Sequence, residues 1–348
     1  MLETRISGTR EPTAGGDGAT DEMPATANDL LPLAATIGAL IKHQRRRRFA
    51  IVSQSRCDRS CEAFIVRTLW PEPPADEAER KRRFKMAGTF RREVEKGGRV
   101  QQMGAGNGHC MTDPAALLDA VTIAAVSATA RAAWDGIRAD DERDMVRLAR
   151  TLPAHDWVAG IRGLGDLGFA IIVAEAGNLA YYPTVETLWK RLGLAVFDGL
   201  SQRRWSDKDK ALRVGYSPRR RAEIWSIADP FFRHQWAGDK DAAGRNPAKT
   251  KQPVAEPAHP TSLYGEIYAE RKARLLARNE TGENAARAAR EVESARGRRV
   301  APHPDNLAGR LSAAHIENDA RRIMTKALIR DLWREWRWRV AAGTEAAP

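Results

Sequence analysis

Cysteine is scarce: Cys57, Cys61 and Cys110 are the only three in 348 residues. So low and odd a count excludes a disulfide-built scaffold. Cys57 and Cys61 stand four apart, on one face of a helix, and His109-Cys110 would complete a set of zinc-ligand types. That second pair is adjacent in sequence, whereas zinc ligands prefer looped spacing. Idle or buried thiols are therefore expected, with no metal site. No apolar run reaches bilayer length, so no membrane association is expected. The N-terminus lacks the charged-then-apolar order of a secretory signal. A cytoplasmic, nucleoid-associated protein is the resulting expectation. Period-two alternation is nearly missing as well, which excludes a sheet-based fold and leaves a mostly α chain. Acidic residues are in deficit, 45 against 57 Lys and Arg, for a net charge of +12. Such an excess favours a polyanionic partner, and in a cytosol that partner is nucleic acid.

Residues 1–27 are Gly, Thr, Ala, Pro and acid, and read as a disordered tail. A helical N-terminal region follows over 28–150. Its first helix, 28–48, carries Leu30, Leu33, Ile37 and Ile41 at helical spacing and ends in Arg45-Arg46-Arg47-Arg48. Helix is favoured from Phe49 to Leu69, until Pro71, Pro73 and Pro74. Residues 75–96 read as a charged helix, and Gly97-Gly98 with Gly104–Gly108 as a loop. A long helix is expected over 113–150, opened by the Asp113-Pro114 pair. Residues 151–237 form the next unit, in which Pro183-Thr184 opens a helix with Val185, Leu188, Trp189 and Leu192 on its apolar face. Residues 201–221 are basic and 222–236 helical. Residues 238–260 read as a linker. The final unit, 261–340, holds a charged helix over 262–295, a linker over 296–308 and a helix over 312–340.

The most informative stretch is Trp157 to Ala176: an apolar helix end, the Gly163-Leu164-Gly165 hairpin, and a second apolar helix. Glycines let another backbone approach closely, and a helix start presents free amides to an anion. Phosphate contact by Arg162, Gly163, Leu164, Gly165 and Gly168 is one reading, and a tight helix–helix connection is the other. Downstream, Arg203, Arg204, Arg213, Arg219, Arg220 and Arg221 supply cations for backbone contacts. The Arg45–Arg48 run reads equally as a nucleic-acid patch or a solvated helix end. Trp333, Trp336 and Trp338 read as core or a dimer seam before base stacking.

The run Ile161-Arg-Gly-Leu-Gly-Asp-Leu-Gly-Phe-Ala-Ile-Ile-Val-Ala-Glu-Ala-Gly177 is followed by Tyr182-Pro183-Thr184, Gly193-Leu194-Ala195 and Gly215-Tyr-Ser-Pro-Arg-Arg-Arg221. On these residues, Leu148 to Gln235 resembles the C-terminal domain of an insertion-sequence transposase family. Its members join an N-terminal RuvC-like nuclease domain to a C-terminal helix–hairpin–helix and serine domain, and some are guided by a bridge RNA. Asp319-Ala320-Arg321-Arg322 is similar to the family's closing helix. The resemblance implies DNA transposition or recombination, a DNA partner, an RNA guide in some members, and a nucleophilic serine at Ser201, eight residues past Gly193. A homo-oligomer is also expected.

Two departures mark the chain. Ser201 is followed by Gln202 where the family has glycine. The four metal-binding acids of a nuclease sheet find no counterpart in residues 1–150, where Asp141 and Asp144 read as a solvated helix face. No cofactor is evident, and divalent metal would be needed only with a nuclease domain. A mixed sheet over 28–150 would favour the active transposase. A helical bundle there would favour a non-catalytic, DNA-binding relative. An α-helical oligomerising scaffold is the reading from another class.

Overall fold

A computed structural model describes residues 27–97, 113–197, 200–203, 207–237, 259–297 and 299–345. The fold is mostly α, as the sequence predicts. The expected tail, the glycine loop with His109-Cys110, Arg204 and most of the 238–260 linker lie outside the described residues.

The N-terminal region is a helical hairpin. Helix α1 runs unbroken from Ala27 to Leu69, and α3 from Pro114 to Ala149. At 1.5 Å per residue they reach about 65 and 54 Å. Asp113 caps α3 by accepting from the Ala115 amide, and Pro114 occupies the first turn, where no N–H is needed. The two helices run antiparallel: His43 meets Asp141, Gln54 meets Asp135, and the Ser127 hydroxyl donates to the Cys57 carbonyl. Between α1 and α3 in sequence, α2 (Glu77–Glu95) closes the far end. There Cys61, Ile65, Ala87, Phe90, Ala120 and Ala124 form a small core of their own.

Three expectations for this region need correction. Arg45–Arg48 is not a helix end but the middle of α1. Arg47 is buried between Glu142, at 2.8 Å, and Glu223, at 3.4 Å, and Arg48 pairs with Glu223. Asp141 is not solvated: it is 1% exposed, bonded to His43 at 2.8 Å and 3.5 Å from Arg46. The run was misread because Phe49 to Leu69 continues the same helix. The seam then needs acids opposite those arginines, since a buried charge without a partner is costly. Against the expectation that no run suits a bilayer, α3 is long and apolar enough, by length and composition alone, to cross a membrane.

The main body is built around α5 (Asp166–Ala176), reached from α4 (His155–Ala159) through the glycine turn. Every residue from Phe169 to Ala176 is buried. A helix apolar all round has no solvent face and belongs at the centre. Its neighbours are the near halves of α1 and α3, α6 (Val185–Arg191), α8 (Pro218–Arg233) and the last helix, α12 (Ala313–Glu345). One buried cluster draws on all of them, so the expected boundary at 150 falls inside a continuous core. Trp336 of α12 is fully buried, edge-on to Phe169 at 6.1 Å, and donates to Asn178. Trp333 donates to the Tyr182 carbonyl, while Trp338 is exposed.

Short elements complete the body. A short ladder pairs β1 (Val196–Phe197) with β2 (Leu200–Ser201), and α7 (Lys208–Val214) forms inside the basic stretch 201–221. The expected linker ends in strand β4 (His259–Pro260), paired with β3 (Trp236–Ala237). The charged helix expected over 262–295 is two, α9 (Leu263–Glu280) and α10 (Ala285–Gly297), parted at Gly282 with φ +77°. The next linker contains one turn, α11 (Pro304–Leu307). Asp319 of α12 binds this module together, 2.7 Å from Arg271 of α9 and 2.8 Å from Arg287 of α10.

Candidate nucleic-acid interface

Two groups of the predicted site residues lie at opposite ends of helix α5, an axis about 15 Å long. At its N-terminal end the turn closes on the chain itself. Gly163 has φ +88°, and a Cβ there would stand 2.7 Å from the His234 Cβ and 3.2 Å from the Phe231 carbonyl oxygen. The close approach read from the glycine is therefore made by the end of α8. Leu164 is core, and Gly168 packs on Leu164 and Ile227. Gly165 caps α5 and is exposed, as is Arg162. Gln235 locks the junction by donating to the Arg162 carbonyl at 2.7 Å. The first turn of α5 already has its anion, Asp166, held by Arg150 at 2.8 Å and His155 at 3.1 Å. The Arg150 hydrogen bond, with His155 beside it, holds the Asp166 carboxyl below the usual carboxylate range.

The C-terminal end is different. Glu175 is 2% exposed, an acid in the last turn of an otherwise apolar core helix. It accepts from Gln44 of α1 at 3.2 Å and from Arg219 of α8 at 2.8 Å, with Arg220 3.7 Å away. Arg45 of α1 and Arg191 of α6 complete the rim of a cavity of about 110 Å³ beside Gly177. Both are exposed, and neither has an ion-pair partner among the described residues. Four arginines and one carboxylate thus line the cavity, a surplus of three positive charges. Burial, then the like charges of Arg191 and Arg219, pull the Arg220 guanidinium below its ordinary value. The carbonyl end of α5 favours cations at this position.

The remaining predicted residues surround the β1–β2 hairpin. Ser201 is exposed on β2, opposite Val196. Its hydroxyl has no hydrogen-bond partner among the described residues, so none of these is placed to take its proton. Gln202, where the resemblance has glycine, is 1% exposed and donates to the carbonyls of Lys190 and Val214. Its own carbonyl accepts from Arg221 at 2.6 Å. Gly193, φ +78°, lies under Arg221, whose Cβ would be 2.9 Å from an added Cβ. Arg203 is half-buried and Arg213 exposed.

The sequence reading missed Gln44, Glu175 and Arg191. One signal was present: a carboxylate in the run Phe169–Ala176 must be buried and therefore needs cations. Of the three thiols expected to be idle or buried, Cys110 lies outside the described residues, and Cys57 and Cys61 are free; burial pushes the Cys61 thiol up. Among the described residues no three His, Cys, Asp or Glu side chains are grouped to hold a metal. Comparisons with protein-family models, curated proteins and solved structures find no match for the chain.

Proposed function

We propose that the protein binds nucleic acid, DNA foremost, through the arginine face at the C-terminal end of α5. In this reading it is a non-catalytic relative of the transposases that Leu148–Gln235 resembles. The observation that carries it is the cavity lined by Arg45, Arg191, Arg219 and Arg220, from three helices, with Glu175 as its one acid, paired to Arg219 and Arg220 only. Guanidinium groups suit phosphate oxygens because their donors form a planar fork. Such contacts hold the backbone without reading sequence. The net charge of +12 supports the same partner.

The non-catalytic form is favoured because the described part of residues 27–150 is built of three helices, with no strand among the described residues to carry a nuclease's acids. The Ser201 hydroxyl, without a partner among the described residues, supports it too.

The test is duplex binding by the full chain, followed by fluorescence anisotropy from low to physiological salt. Each phosphate neutralised adds about 0.9 to the negative slope of log K against log salt. A slope of about −2 or steeper is expected. No binding at low salt would overturn the reading and leave the scaffold alternative.

A further inference from the structure

The outer face of α1 carries cations that the fold does not use. Lys42, Arg45, Arg56, Arg59 and Arg67 are exposed, and none has an ion-pair partner among the described residues. Arg67 gives one N–H to the Ala63 carbonyl of its own helix. At 3.6 residues per turn the five fall within about 100° of one another around the axis. That arc lies opposite Leu40, Ala50, Cys61 and Ile65, which are buried. Phe49 and Val52 stand exposed among the cations, and no acid does. The acids of α1 in this span are Asp58 and Glu62, and both turn to the seam. Asp58 is 3.0 Å from Arg91 and 3.4 Å from Arg131, and Glu62 is 3.3 Å from Arg91. Helix α3 is the contrast: Arg131, Arg138, Arg143 and Arg147 each pair with an acid of the same helix. Alternating signs are what a merely solvated helix face carries, whereas a face of one sign attracts a polyanion.

We infer that the outer face of α1 is a track for the backbone of duplex DNA, continuous with the arginine cavity through Arg45. Arg45 belongs to both, since it also lines the cavity beside Gly177. Lys42 to Arg67 spans about 38 Å along the axis, the length of about 11 base pairs at 3.4 Å each. The helix is unbroken over this span and is backed by α3, so its cations are held at fixed intervals. A duplex, stiff over about 150 base pairs, presents its phosphates at fixed intervals too. An anionic membrane is the other extended polyanion. Two exposed apolar side chains among five cations give this face little to bury in one. The track rests on the nucleic-acid reading above and extends it from one cavity to a surface about one duplex turn long.

The experiment uses the full chain and DNA duplexes of about 6 and about 12 base pairs, titrated by anisotropy at graded salt. Each phosphate contact is worth about 0.9 in the salt slope, so the wild-type slope should steepen by about 2 on the longer duplex. The triple variant Arg56→Gln, Arg59→Gln and Arg67→Gln should flatten the slope on the longer duplex by about 2–3 and remove its dependence on length. The control triple is Arg80→Gln, Arg143→Gln and Arg147→Gln. It lowers the net charge equally, and its three exposed arginines each pair with an acid of their own helix. Its slope should move by less than about 1. Equal slopes for the two triples, on a duplex that still binds, would overturn the track and leave the cavity reading intact. A loss confined to the outer-face triple, with full binding by Arg191→Glu, would uphold the track and overturn the cavity's part in the interface. No binding to either duplex at low salt would overturn both, and binding to phosphatidylserine vesicles instead would give the face to a membrane surface.

Discussion

The two ends of α5 offer opposite uses of the same local chemistry. At Asp166 the chain meets its own demands: the glycine's missing Cβ is filled by His234, and the helix start by an aspartate with two internal partners. At Glu175 it does not, because four arginines and one carboxylate line the same cavity, and Arg45 and Arg191 have no ion-pair partner among the described residues. A glycine turn before a helix is thus a weak pointer to a ligand when the rest of the fold packs into it. Uncompensated charge is the stronger pointer, since the fold alone gives no reason to assemble it.

The comparison breaks first on stability. Gly163→Val puts a β-branched residue at φ +88° and its Cβ against His234. A loss of about 3 kcal/mol or more is expected in urea unfolding. Duplex affinity of the folded fraction should not change; a weakened affinity would return the hairpin to the interface.

Asp319→Asn, away from both ends, is the next largest. Burial alone would raise this carboxyl, but the Arg271 hydrogen bond and the charges of Arg322 and Arg287 bring it to about 2. A folded value below the unfolded one, near 3.9, gives stability that is present above pH 4 and lost as pH falls toward 2. The variant should lose about 2–3 kcal/mol at pH 7. Its stability should also change less than wild type's between pH 4 and 2, read from denaturant midpoints.

Reversing both Arg45 and Arg191 to Glu should cost about 100-fold in duplex affinity and flatten the salt slope by about 2. Circular dichroism should stay unchanged, because neither side chain is buried. Ser201→Ala is the smallest: stability within about 0.5 kcal/mol of wild type, unchanged affinity, and no covalent adduct with DNA from either protein. An adduct from wild type alone would restore the serine's role as a nucleophile.

Much of the fold was legible in the sequence. The Asp113-Pro114 pair marked the start of α3, the apolar run marked α5, and Trp336 marked the buried face of α12. What escaped was long-range pairing. Arg47 is buried because Glu142 and Glu223 come to it from 95 and 176 residues away, and local sequence holds no trace of that. The same holds for Arg45 and Arg191, which share a cavity only because α1 and α6 pack around α5. The strands β1 to β4 are too short, at two residues each, to show a period.

One paired measurement decides between the ends of α5. Arg162→Glu at the hairpin and Arg191→Glu at the cavity change the net charge equally, and both positions are exposed. General attraction to DNA therefore cancels between them. In one anisotropy titration at fixed salt, Arg191→Glu should weaken duplex binding about tenfold, with Arg162→Glu close to wild type. The reverse order, or an equal loss in both, would contradict the assignment of the interface to the arginine end.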